Sequence, residues 1–175
     1  MFLVLHNPSS NMKLASGVMR VVDLLAAGQA VGLATDSAAS NNNQDLFQEM
    51  NIAAKLQKVT RMDPRALPAR QVVEMASIGG ARALHLDDQI GSIAAGKQAD
   101  IILIGTAATH ATPMYNVYSQ LVYALNAHDV RSAVIAGKVV MEDRVMSTMD
   151  KPGILAKAHE YQRKISASLV EARAI

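Results

Sequence analysis

A chain of 175 residues, 50% of them hydrophobic, can bury the core of one domain and is too apolar to be a disordered segment. Its net charge of +2 comes from Lys and Arg scattered along the chain, which sets aside a nucleic-acid surface. With no cysteine it has neither a disulfide framework nor a thiolate metal site, so a metal has to sit on His, Asp or Glu.

The apolar start Met1-Phe2-Leu3-Val4-Leu5 lacks a basic flank and reaches His6-Asn7-Pro8 at once, too short for a signal peptide or a membrane span. No membrane partner is expected, and the cytoplasm is the default compartment. Residues 2–5 read instead as a strand of a buried parallel sheet. A strand at the first residue has nothing upstream to pair with, so the chain is expected to begin inside a fold. Residues 6–17 read as a loop, and Val18, Val21, Val22, Leu24 and Leu25 follow at helical spacing up to Gly28. Residues 30–34 read as a second buried strand, which makes a βαβ unit and an α/β class with a parallel sheet.

That strand leads to Asp36, followed by a polar loop, Ser40-Asn41-Asn42-Asn43. A helix from about Asp45 carries Leu46, Met50, Ala53, Ala54 and Leu56 on one face. Asp63-Pro64 and Leu67-Pro68 break it, and a further helical stretch runs through Val72, Val73, Met75 and Ala76 towards Ala81, Ala83 and Leu84. From residue 90 the pattern changes. Residues 90–97 are a turn-rich approach to a strand at 101–104, and strands at 132–136 and 139–141 flank a tight Gly137-Lys138 turn. Together they predict a small antiparallel or mixed sheet. Residues 115–125 predict a helix, and the segment from Pro152 through Ile165 and Leu169 predicts an amphipathic helix with Pro in its first turn.

A carboxylate at the exit of a buried parallel strand is where α/β barrels keep their chemistry, so Asp36 is the first candidate for a catalytic or metal-binding group. Its plainer reading is a cap for the turn after its strand. Ser37 and Ser40 either face a substrate or satisfy backbone donors in their loop. Asn11 is either a helix or loop cap or a substrate contact. His6, at a strand end, reads as a satisfied structural histidine, and Lys13 as a solvated surface charge.

Three segments carry a resemblance. They are His6-Asn7-Pro8-Ser9-Ser10-Asn11-Met12-Lys13-Leu14-Ala15-Ser16-Gly17, Thr35-Asp36-Ser37-Ala38-Ala39-Ser40-Asn41-Asn42, and Gly91-Ser92-Ile93-Ala94-Ala95-Gly96-Lys97-Gln98-Ala99-Asp100. In this order and at these separations they resemble the metal-dependent amidohydrolases, in the branch of methylthioadenosine and S-adenosylhomocysteine deaminases and triazine hydrolases. The resemblance implies that residues 1–88 are the C-terminal portion of a distorted (β/α)₈ barrel, its last two strands included. Residues 89–150 would then be part of a small β-sandwich, and 151–175 a C-terminal helix. Asp36 matches the aspartate at the end of the eighth strand, which in that family binds a divalent metal and handles the proton of the water the metal activates. Zn²⁺ is the expected ion and Fe²⁺ the alternative.

The family's other ligands, a His-x-His pair on the first strand and two His on the fifth and sixth, belong upstream of these segments. His6 falls in the seventh-strand motif, while His85, His110, His128 and His159 fall in helices or sandwich connections without ligand spacing. The resemblance thus implies the C-terminal segment of a hydrolase of C–N bonds, acting by hydrolytic deamination on an aminopurine-type or related heteroaromatic substrate. Triazine dechlorination is the related possibility. Catalytic zinc uses about three protein ligands, so the chain alone is expected to be silent. The reading from a different class is a non-catalytic remnant or binding module. Through an uncovered sheet edge it would associate with itself as a homo-oligomer or with a missing N-terminal portion.

Overall fold

The computed structural model of the chain describes residues 3–173, with side chains described as far as residue 169. The expected strand start at Phe2 lies outside the described residues. Strands β1 (Leu3–His6) and β2 (Ala30–Leu33) pair in parallel, Leu3 opposite Ala30 and His6 opposite Leu33. Parallel neighbours need a crossover, and here helices α1 (Pro8–Lys13) and α2 (Val21–Ala26) make it. Because the strands are parallel, both chain exits, at His6 and after Leu33, lie at one end of the pair.

Two segments read as loops are short helices. Pro8 opens α1, where its fixed φ suits a first turn and its missing N–H costs nothing. Residues Ala38–Asn41 form α3, which Asn42 ends in the left-handed region at φ 76°. The long helix α4 (Leu46–Arg61) begins where expected: the Asp45 carboxylate accepts the N–H groups of Phe47 and Gln48, and Met62 terminates the helix at φ 51°. It buries Phe47, Met50, Ala53 and Ala54, together with two polar side chains, Glu49 and Gln57.

The helix expected beyond Pro68 is three pieces, α5 (Ala69–Glu74), a π-helical turn at Met75–Gly79, and α6 (Gly80–Ala83). The turn lies against β2 at backbone distance. A Cβ on Gly79 would sit 2.8 Å from the Val31 carbonyl oxygen, and one on Gly32 would sit 3.0 Å from the Gly80 Cα. Val21, Val31, Leu33, Phe47, Met50, Val72 and Met75 form the core, joined by Val122 and Leu125 at and just after α7 (Val117–Tyr123). The Asn51 side-chain amide donates to the Val122 carbonyl at 3.0 Å and ties α7 to α4.

The second region is a four-stranded sheet, antiparallel throughout, in the order β3 (Ile101–Ile104), β4 (Val130–Ile135), β5 (Lys138–Glu142), β6 (Val145–Met146). The β4–β5 turn centres on Ala136 and Gly137, one residue earlier than the Gly137-Lys138 expected. Their φ values, 48° and 76°, are both positive, as a two-residue hairpin turn matched to strand twist requires. The chain closes in α8 (Lys151–Arg173). Among the described residues no helix is long and apolar enough to cross a membrane.

Candidate functional site

Asp36 stands just beyond β2 with φ 65°, a left-handed conformation that Asp tolerates better than most residues. Its carboxylate is held on three sides. Oδ2 accepts the hydroxyls of Ser10 at 2.6 Å and Ser40 at 2.8 Å, and Oδ1 accepts the Ser37 backbone N–H at 2.8 Å. The Ser10 hydroxyl first, then that of Ser40 and the Ser37 N–H, hold this exposed carboxyl below the usual carboxylate range. A carboxylate offers about four lone-pair directions, and these donors take three. One direction on Oδ1 is left for a proton or a cation.

Ser40, a candidate for a substrate contact, donates its hydroxyl to Asp36. Ser37 acts on Asp36 through its backbone, while its hydroxyl lies 3.3 Å from that of Ser40. Asn11 lies inside α1, so it is not a cap; its half-buried side chain makes no hydrogen bond among the described residues. Lys13 is exposed but not merely solvated. Its ammonium donates to the Ala39 carbonyl at 3.0 Å and to Asn42 Oδ1, joining α1 to α3.

His6 corrects its expectation more sharply. It is fully buried, yet neither ring nitrogen has a hydrogen-bond partner, and Asn7 Oδ1 and Ser9 Oγ beside it are likewise buried without one. Burial pushes the imidazole down to a pKa of about 4, so it is neutral at physiological pH. Ser10 and Glu49 are the residues that sequence reasoning missed. Ser10 meets Asp36, and Glu49 meets both the nearby Asn41 and the distant Ser9.

Among the described residues, no three His, Asp or Glu side chains come together as a metal-binding group. His110 pairs with Asp129, 3.0 Å from each carboxylate oxygen, which accounts for it structurally. Asp36 offers one carboxylate oxygen to a cation, and a catalytic zinc site takes about three protein ligands.

The sequence profile of the amidohydrolase family matches residues 2–140. The chain belongs to the amidohydrolase family. It is 49% identical over 166 residues to the 5-methylthioadenosine/S-adenosylhomocysteine deaminase 1 of Syntrophus aciditrophicus, a match covering 95% of this chain and 38% of that one. Among solved structures it superposes on a zinc-bound adenosine deaminase from Xanthomonas campestris with a TM-score of 0.90 and 40% identity, covering 93% of this chain and 37% of that one. It shares its fold with the zinc complex of an atrazine chlorohydrolase from Arthrobacter aurescens, at a TM-score of 0.80 and 24% identity, covering 89% of this chain and 35% of that one. The chain thus spans between a third and two fifths of the length of these amidohydrolases.

Proposed function

We propose that this chain supplies one carboxylate wall of a metal-dependent amidohydrolase that removes an exocyclic amine from an aminopurine-type ring, and that it is incomplete alone. In this reading β1 and β2 are the last two strands of a distorted (β/α)₈ barrel within residues 1–88. Residues 89–150 belong to a small sandwich, and 151–175 to a terminal helix. The single observation that carries the proposal is Asp36, ionised and anchored by Ser10, Ser37 and Ser40 with one direction on Oδ1 open. The deaminase relatives and the zinc-bound neighbour favour an adenosine-like substrate and zinc over iron.

A zinc ion there would supply Lewis acidity, and its remaining ligands would come from polypeptide that these 175 residues do not include. What the chain contributes is a proton carrier. A carboxylate kept ionised by three donors is a base that would take a proton from the attacking water and return it to the departing nitrogen, its one open Oδ1 direction serving the metal or the proton in turn. Asn11, with an unengaged side-chain amide, is the proposed contact to the heteroaromatic ring, and the Ser37 hydroxyl the second. The setting is cytoplasmic, and the chain's association is with the polypeptide that completes the barrel or with a second copy of itself.

Elemental analysis tests this on the purified chain, alone and mixed with an N-terminal portion of a related deaminase that carries the missing histidines. Zinc at one equivalent in the mixture alone, lost with Asp36→Asn, is the expected result. No metal in either sample would leave the chain as a non-catalytic binding module.

A further inference from the structure

Glu49 is the most deeply placed acid in the described chain, fully buried on α4, and it forms no ion pair there. A buried carboxylate without a cation is costly unless hydrogen bonds compensate it, and an apolar side chain of similar volume often serves stability better. Its two oxygens are divided between two other helices. Oε2 accepts the backbone N–H of Ser9 in the first turn of α1 at 3.0 Å, and Oε1 accepts the side-chain amide of Asn41, the last residue of α3, at 2.8 Å. The Ser9 donor needs an outside partner, because Asn7, the residue before α1, makes no side-chain cap. The Asn41 amide has its orientation fixed from both ends, since its oxygen accepts the Gln44 N–H at 3.0 Å.

The residues next to these two contacts, Ser10 and Ser40, are the two whose hydroxyls meet on Oδ2 of Asp36. One buried carboxylate therefore grips α1 one residue before Ser10 and α3 one residue after Ser40. We infer that Glu49 is a positioning residue. By clamping α1 to α3 it sets the separation of the two serine hydroxyls, which saturate Oδ2 of Asp36 and leave Oδ1 as its open face. Lys13 straps the same two helices from the exposed side. The catalytic meaning of this clamp rests on the proposed role of Asp36, whereas the clamp itself does not.

The test follows amide hydrogen exchange by NMR in the 175-residue chain, which needs neither metal nor substrate. Failure of the clamp is thus read separately from failure of the proposed function. The Ser37 N–H reports the Asp36 seat directly, because it donates to Oδ1. In Glu49→Gln the amide nitrogen of the new side chain faces a donor, so one grip is lost. Exchange at Ser37 and Asn42 is expected to rise about tenfold, the loss of one hydrogen bond to a charged group, with Ala53, Val72 and Val134 unchanged. The double variant Glu49→Gln/Asn41→Asp reverses donor and acceptor across the contact and is expected to restore wild-type exchange at Ser37. A Glu49 that merely fills space or caps α1 would not be rescued by a change on α3. Unaltered exchange at Ser37 in the single variant, exchange raised evenly over α4, α5 and β4, or no rescue in the double variant overturns the inference.

Discussion

The region built on β1, β2 and α1 to α7 and the region built on β3 to β6 and α8 dispose of their apolar residues in opposite ways. In the first, Val21, Val31, Leu33, Phe47, Met50, Val72, Met75 and Val122 are buried around one centre. In the second, no described residue of the four strands or of α8 is buried, and Ile102, Leu103, Ile135, Val139 and Val145 are at least half exposed. Both regions have the apolar content of a core, and only one uses it within this chain. Cooperative stability therefore resides in the α/β region, and the sheet presents a face suited to association.

The contrast is broken most directly at Phe47. Truncation to Ala removes a buried aromatic where α4 meets the core and is expected to cost about 3–5 kcal/mol in urea denaturation. The matching truncation Ile102→Ala should cost well under half as much. Equal losses at the two sites would show that the sheet carries as much of the fold as the α/β region does.

His6 sharpens the same contrast through pH. Its pKa is about 4 when folded, below the ordinary 6.5, so between those values the unfolded chain binds more protons than the folded one. Stability is then fully present above the unfolded value and falls as pH drops towards 4. The window spans roughly 2–3 kcal/mol for this burial. The lowered carboxylates, with ordinary values of 3.8 for Asp36 and 4.5 for Glu160, add their own loss at the acid end of this window. Denaturation midpoints from pH 7 to about pH 5, above most of that contribution, should show the slope in the wild type and not in His6→Gln. A slope that survives in the variant would assign the effect to another group.

At Gly79 the comparison is one of backbone proximity. A methyl there would meet the Val31 and Glu74 carbonyl oxygens at 2.8 and 3.0 Å, so Gly79→Ala must shift the π-helical turn off β2, at about 1–3 kcal/mol. At Gly96, on the way to β3, a Cβ would have open space, and its φ of 87° is the sole obstacle. Gly96→Ala is expected to be the milder of the two, by thermal denaturation.

These sites also mark where the sequence could be read. The strands at Leu3–His6 and Ala30–Leu33, the α4 start at Asp45 and the hairpin near Gly137 were legible because period, cap and turn residue lie close together in the chain. The family was legible from three motifs. Helices α1 and α3 were not, because Ser- and Asn-rich turns of six and four residues show no apolar period, and a partner on α4 satisfies them. Ser10 escaped notice for the same reason: its meaning is a contact 26 residues away at Asp36. The π-helical turn follows from the close approach of Gly79 to Val31, which exists only in three dimensions. Strand β6, two residues long, is too short to have a period.

The smallest expected effect lies on α8, where Ile154, Leu155, Tyr161, Ile165 and Leu169 are all half exposed or more. A side chain already in water gains little from folding, so Ile165→Ser should change the stability of the isolated chain by less than about 0.5 kcal/mol. The same substitution replaces exposed apolar surface by a hydroxyl. Sedimentation of the wild type and Ile165→Ser, each alone and with the N-terminal portion of a related deaminase, then separates two meanings of this exposed face. Weaker association at unchanged monomer stability identifies α8 as part of an interface. Unchanged association confines any interface to the β-sheet, and a stability loss approaching that of Phe47→Ala would mean that α8 packs on the body and that the two regions are less unequal than their burial indicates.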